Sequence, residues 1–309
     1  MTIPTKHPAP QWPVSIGPPV WGCEHWGGKV YPEGTPKKDF LSWYARTFNI
    51  VEGNSTFYGL PGPATFEKWA EQTGDGFEFC LKFPRAISHD AMLERCDADL
   101  DLFMDRLEIL ARHDRLGPTF LQLGPTFGPE RFESLRRFLR NLSEDFPWAV
   151  EVRHPGWFDD DAADDVASSR STDNEQRLDE LLRQLQIDRV LFDSKSLFHA
   201  DPDDEIEVTS QSRKPNPARR ETVTATRPML RMVGRNRVEQ TQPFIESWTP
   251  VIADWIRRGL RPIIFTHAPN DAIAPDFARR WMTTLQQELP DQNLQIPTPP
   301  AIADQPMLF

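Results

Sequence analysis

Eight short apolar runs of strand length, separated by stretches of helical periodicity, constrain this 309-residue chain more than any other feature. The runs lie near residues 18–23, 48–54, 77–83, 118–123, 148–154, 189–193, 229–234 and 262–267. Helical patterns occupy 37–47, 64–73, 97–115, 128–144, 174–186, 242–258 and 275–289. "PKKDFLSWYARTF" begins with Pro36 near its first turn, and "DADLDLFMDRLEILARH" starts with acids and ends with bases, as the helix dipole prefers. Alternating strands and helices are the signature of βα units and a parallel sheet. Eight such units in this length predict an α/β chain folded as a (β/α)8 TIM barrel. The sixth unit is weak, because residues 198–228 are Pro-rich and polar; its helix is expected to be shortened or replaced by a loop. A doubly wound open sheet with fewer strands is the structural rival. The expected organisation is an N-terminal extension over 1–17, one barrel domain over 18–290 and a Pro-rich extended tail over 291–309.

Parity along the strands says where a site would form. The stretch "WAVEVRHPGW" at 148–157 carries Glu151, Arg153 and His154 in a β-branched run, where a core should be apolar. Burying unpaired charge costs several kcal/mol, so these groups need partners, a ligand or water. In a parallel barrel one face of each strand packs under helices and the other points inward. Val150 and Val152 share the helix-facing side; Glu151 and Arg153 share the inner one. The pattern recurs with Glu52 and Asn54 opposite Val51, Lys82 between Leu81 and Phe83, and Gln122 between two leucines. "VLFD" ends in Asp193, and "MLRMV" carries Arg231. Six of the eight strands thus place a polar group on the inner face, mostly late in the strand, where barrels build active sites. Any one such charge is as readily a structural ion pair. The set of six is a pooled active-site signal, since apolar replacements would usually be no less stable.

Composition excludes several classes. No apolar run approaches the roughly 20 residues that span a membrane, and "MTIPTKHPAP" lacks the apolar core of a signal peptide. Cys23, Cys80 and Cys96 are odd in number and far apart, which fits a reducing cytoplasm and argues against a disulfide framework or structural zinc. A net charge of −11 argues against indiscriminate nucleic-acid or anionic-membrane binding. The segment 213–237, "RKPNPARRETVTATRPMLRMVGRNR", reverses that sign with Glu221 as its one acid, and leads into the seventh strand, near where barrels place phosphate sites. The acidic "FDDDAADD" at 158–165 reads as an exposed insertion.

The motifs "VEGNSTFYGLP", "FCLKFPRAISH", "FLQLGP", "VEVRHPGW", "LFDS" and "RMVGR", in this order, resemble domain-of-unknown-function family 72, the YecE-like proteins. The resemblance covers about residues 20 to 290 and implies a TIM-barrel fold. Carried over position by position, it implies functional roles for Glu52, Asn54, Thr56, Tyr58, Lys82, His89, Gln122, Glu151, Arg153, His154, Asp193, Arg231 and Arg235. The chain departs from the family pattern at Val233, where a histidine is usual, and at Thr266 and His267, where paired asparagines are usual. Glu24 and His25 replace small residues. These departures point to a substrate different from that of typical members.

The residue types suggest chemistry. Glu151, Glu52, His89 and Asp193 are the candidate catalytic groups. Lys82, Asn54, Tyr58, Gln122, Arg153, His154, Arg231, Arg235 and His267 are the candidate substrate-binding groups, the arginines offering planar forks for phosphate or carboxylate. No Walker loop, dinucleotide fingerprint or local metal spacing occurs. The option of a divalent metal rests on His89, His154 and His267 with Asp193 or the glutamates. The leading expectation is a hydrolase acting on a phosphate-bearing substrate, with a nucleic-acid phosphodiester within its range. The alternatives are sugar hydrolysis or isomerisation by paired carboxylates, and a non-catalytic anion-binding module. The terminal "QPMLF" looks like the peptide by which bacterial replication and repair proteins dock on the sliding clamp. Gln305 would hydrogen-bond at a pocket rim and Leu308 and Phe309 would fill the pocket; the bland alternative is an apolar terminus packed on the body.

Overall fold

Eight parallel strands form, seven at the apolar runs and the first, Ser15–Gly17, wholly before its run at 18–23, yet the hydrogen-bonded ladder joining them is broken at two places. The computed structural model describes residues 12–158 and 173–298. The strands are β1 (Ser15–Gly17), β2 (Ile50–Gly53), β3 (Glu78–Leu81), β4 (Thr119–Gln122), β5 (Trp148–Glu151), β6 (Asp188–Asp193), β7 (Met229–Val233) and β8 (Ile263–His267). They form a curled six-stranded sheet in the order β1-β8-β7-β6-β5-β4 and a separate two-stranded sheet, β2-β3. The expected closed eight-stranded barrel is therefore corrected to two facing parallel sheets.

The two breaks have identifiable causes. At the β1/β2 seam the Asn49 side chain stands in for ladder bonds: Oδ1 accepts from Ile16 N (2.9 Å) and Nδ2 donates to the Val14 carbonyl (3.2 Å). At the β3/β4 seam Pro118 has no N–H to give, and the Cys80 thiol takes its carbonyl (2.5 Å). Only isolated bridges remain there, Phe79 with Leu116 and Lys82 with Phe120. The first strand also begins earlier than its apolar run suggests, at Ser15 rather than residue 18.

The longer helices cover the outer faces: α1 (Phe40–Thr47), α3 (Pro63–Glu71), α4 (Asp97–Arg112), α5 (Phe132–Asn141), α6 (Asp173–Leu185), α9 (Val238–Arg257) and α10 (Ala274–Glu288). The four-residue helix α2 (Ser55–Tyr58) follows β2. Proline in the first turn of α3 and Asp97 and Asp99 in that of α4 set those helix starts. After β6 come two short helices, α7 (Lys195–Phe198) and α8 (Glu205–Arg213), and then residues 214–228 without helix or strand.

Burial falls in two layers. Between helices and sheets lies the large apolar core, including Trp26, Phe66, Phe103, Trp157, Trp248 and Trp281. Inside, facing one another, lie Ile50, Cys80, Phe120, Ala149, Val190, Met229, Ile263 and Phe265. At the lower end Arg227, just before β7, grips Glu78 of β3 with both guanidinium nitrogens (2.7 and 2.6 Å), tying one sheet to the other. Past α10 the described part of the tail does not stand clear of the body. Leu294 is buried, and the Pro297 carbonyl accepts from Arg279 Nε (3.0 Å).

Candidate active site

Period-two alternation carries the interior upward from apolar to charged. Two residues beyond each apolar inner position, at the C-terminal strand ends, come Glu52, Lys82, Gln122, Glu151, Phe192, Arg231 and His267. These ends form the mouth of the interior.

Arg231 is its hub. Its Nε and Nη2 form a fork on Glu52 (2.7 and 2.8 Å), and Nη1 reaches Glu151 (2.5 Å) and, more weakly, Gln122 (3.4 Å). Glu52 and Glu151 are 0% and 1% exposed, so both carboxylates are spent internally. Asn54 Nδ2 donates to Glu52 (2.7 Å), and His267 Nε2 to its other oxygen (3.1 Å). Arg153 Nε donates to Glu151 (2.5 Å), and its guanidinium lies over the Phe192 ring at 4.9 Å. Burial alone would raise both carboxyl pKa values. The guanidiniums outweigh it, holding Glu52 well below the usual range with help from His267, and Glu151 down at about 2. Neither carboxyl can be the protonated acid that glycoside cleavage needs at neutral pH.

Lys82 follows β3 and is buried, with Nζ over the Phe57 ring at 3.7 Å. No carboxylate bonds to it among the described residues. Burial first, then Arg231, brings its pKa down to about 8. Its backbone is pinned, since the Lys82 carbonyl accepts from Thr56 Oγ1 (2.7 Å) and its N–H donates to Gly53 (3.1 Å). Lys214, from the long coil after α8, is also without an acid bond among the described residues. Burial and the neighbouring Arg231 and Arg153 lower its pKa.

His89 stands in a π-helical turn, Ala86–Asp90, edge-on to Phe57 (4.9 Å). The Ser88 hydroxyl donates to the Pro84 carbonyl (3.0 Å), so it must accept from His89 Nδ1 (2.9 Å). That fixes the proton on Nδ1 and leaves Nε2 with its lone pair. Burial, with Lys82 and Arg85 nearby, lowers the imidazole pKa, so it is neutral at physiological pH. Gly124 makes room for the ring: a Cβ there would lie 3.1 Å from Nε2. Immediately after this turn Met92, Leu93 and Arg95 all take left-handed backbone (φ 48°, 66° and 53°), a concentration of strain of a kind that collects at functional sites.

Other expected residues fall elsewhere. Asp193 turns outward, accepting from Trp248 Nε1 (2.6 Å) and the Lys195 N–H (2.8 Å); the inward residue of β6 is Phe192, as Val190 two positions earlier foretells. Arg235 is buried against Glu207 of α8 (2.6 Å) and fastens the loop after β7 to the loop after β6. His154 Nδ1 accepts from Gly156 N (2.9 Å) and caps a turn. Tyr58 is 82% exposed, beside Phe57 at the rim. No group of three or more metal-ligating side chains is assembled among the described residues. Sequence reasoning missed Ser88, Phe57, Phe192 and the specific role of Lys214. Phe192 was recoverable from parity and Lys214 only as one base among many in its segment. Gln305, Leu308, Phe309 and most of the acidic 158–165 run lie outside the described residues. Among those described, no helix is long and apolar enough to cross a membrane.

The mouth therefore sets Lys82, Arg153 and Arg231 against two carboxylates that are already paired, with a neutral imidazole beside them and Lys214 within electrostatic range of Arg231, Arg153, Glu52 and Asp271. Such a surplus suits an anion.

Residues 15–302 match the family described as "Protein of unknown function DUF72". The chain is 37% identical over 296 residues to "UPF0759 protein YecE" of Escherichia coli K12, covering 96% of this chain and 100% of that one. It is 25% identical over 150 residues to "UPF0759 protein YunF" of Bacillus subtilis, covering 47% of this chain and 52% of that one. In structure it resembles a DUF72 family protein of Thermotoga maritima, with a TM-score of 0.63 at 22% identity, over 90% of this chain and 99% of that one. A second DUF72 structure, from Enterococcus faecalis, aligns with a TM-score of 0.61 at 15% identity, over 88% and 95% of the two chains.

Proposed function

Given that this chain belongs to the DUF72 family, for which no reaction is established, we propose that its mouth is the active site of a hydrolase acting on a phosphate-bearing substrate. The observation that carries this reading is the cationic surplus. Glu52 and Glu151 are consumed by Arg231, while no carboxylate bonds to Lys82 or Lys214 among the described residues. A buried cation with no carboxylate bonded to it, as at Lys82, is costly, and a bound phosphate would offset that cost.

In this reading the two glutamates are anchors rather than proton carriers, fixing Arg231 and Arg153 in place. Arg153, Lys214 and Lys82 neutralise the phosphoryl oxygens as charge develops. His89 Nε2 takes a proton from water, the water oxygen bonds to phosphorus, and the ester P–O bond breaks. The imidazolium then returns its proton to the departing alcohol. The products are phosphate, or a shortened phosphate ester, and an alcohol.

The test is a panel of p-nitrophenyl phosphate, bis(p-nitrophenyl) phosphate and p-nitrophenyl glycosides, with inorganic phosphate binding measured by calorimetry. The reading expects phosphate-ester turnover that inorganic phosphate inhibits and His89→Ala removes. Phosphate binding without turnover of any ester would make the mouth an anion-binding module. Turnover of glycosides alone would overturn the proposal.

A further inference from the structure

Lys82 differs from the arginines around it in being able to lose its proton at attainable pH. We propose that Lys82 is an amine nucleophile that forms a Schiff base with the carbonyl of a phosphorylated aldehyde or ketone held in the mouth. This rests on the phosphate reading above for the position of the substrate's anionic end, and goes beyond it in the covalent step.

The geometry is that of a buried reactive lysine. Its stem leaves a strand end fixed on both sides, by Thr56 and Gly53, so the amine is presented from a rigid base. One side of Nζ is closed by the Phe57 ring. Glu52 and Glu151, the acids within electrostatic range, are both committed to guanidiniums, so among the described residues no ion pair holds the ammonium charged. The ring face favours the cation, but burial and the adjacent Arg231 and Arg153 act against it, and the balance brings the pKa to about 8. An ordinary lysine titrates near 10.5, so at neutral pH the free-amine fraction of Lys82 is larger by roughly two orders of magnitude. Lys214 and Arg153 belong to the six-stranded sheet and its loops, and Lys82 to the other sheet. In the proposed complex the phosphate rests on that pair and the carbonyl end on Lys82.

The step balances without a further reactant. The Nζ lone pair attacks the carbonyl carbon, and the C=O π electrons move to oxygen, which takes up a proton. Nitrogen loses a proton, and the carbinolamine expels water to leave a C=N bond.

Pyridoxal 5′-phosphate is a suitable probe because it carries both an aldehyde and a phosphate. The full-length protein would be incubated with it and with unphosphorylated pyridoxal, reduced with cyanoborohydride, and mapped by peptide mass spectrometry. The proposal expects one dominant adduct, at Lys82, at least tenfold slower with pyridoxal and protected by inorganic phosphate. The adduct should be lost in Lys82→Met and in Lys82→Arg, the second keeping the charge in case the first fails to fold. Labelling spread over surface lysines, equal in the wild type and in Lys82→Arg, would overturn it. Inorganic phosphate binding without any Lys82 adduct would overturn the nucleophile and leave the phosphate site standing. Equal Lys82 labelling by both aldehydes without phosphate protection would keep the nucleophile and overturn the phosphate-bearing substrate.

Discussion

Removing the guanidinium of Arg231 should destabilise this protein severely at neutral pH and much less in mild acid. The side chain is 4% exposed and is the shared counter-charge of Glu52 and Glu151, themselves almost wholly buried. Breaking a buried ion pair by deleting one partner costs about 3–5 kcal/mol, because the other charge is stranded. In the folded wild type both carboxyl pKa values are depressed, Glu151 from 4.5 to about 2. That shift corresponds to about 3 kcal/mol for Glu151, present above pH 4.5 and lost as pH falls toward 2. In Arg231→Met the sign reverses for Glu52, whose folded-state pKa rises above the unfolded one as burial dominates, while Arg153 still holds Glu151 down. The variant is then weakest at neutral pH and recovers as Glu52 takes up a proton on the way down to pH 4.5. Urea denaturation of both proteins at pH 7.5 and 4.5, compared through the midpoint at constant slope, measures this. The expected difference is about 4 kcal/mol at pH 7.5 and well under half of that at pH 4.5. Adding Glu52→Gln to Arg231→Met should restore most of the loss. A cost below about 1 kcal/mol at pH 7.5, or one that does not change with pH, would refute the account of Arg231 as the counter-charge.

Other outcomes follow from single contacts. Arg95→Gly should raise stability by about 0.5–1 kcal/mol in thermal unfolding, since the residue is exposed and held at φ 53°. Asn49→Ala removes both side-chain bonds at the β1/β2 seam and should cost about 2–4 kcal/mol in urea unfolding, with early amide exchange at Ile16. Lys214→Met should weaken inorganic phosphate about tenfold by calorimetry and flatten the salt dependence, leaving the thermal midpoint nearly unchanged. Val152→Asp, on the helix-facing side of the chain just after β5, should prevent recovery of folded protein on expression, because it buries an unpaired carboxylate.

What could be read from the sequence was the facing of side chains. Glu52, Lys82, Gln122, Glu151 and Arg231 all lie inward, because period two in a strand is dictated by the pleat, whatever the partner strand. The ladder itself was not legible. Whether neighbouring strands exchange backbone bonds depends on Pro118 at one seam and Asn49 at the other, and neither disturbs an apolar run. Asp193 was misjudged because its charge was weighed above its parity; a buried indole N–H waiting on α9 explains an outward carboxylate. Arg235 answers to Glu207, and Lys214 reaches the mouth from coil; no periodicity encodes either position.

The separate two-stranded sheet gives the molecule a latch. At the mouth β2-β3 are drawn to the larger sheet by Arg231 on Glu52, and at the opposite end by Arg227 on Glu78. The Arg231–Glu52 fastening is undone by protons, while the continuous ladder is not. Acid should therefore loosen residues 50–81 at the mouth first, while Asn49, the Cys80 thiol and the backbone bonds of Phe79 with Arg115 and Gly117 still hold their seams and the six-stranded sheet keeps its ladder. The mouth, with Lys82 on one sheet's edge and Arg153 on the other, would lose its charged tie before the fold melts.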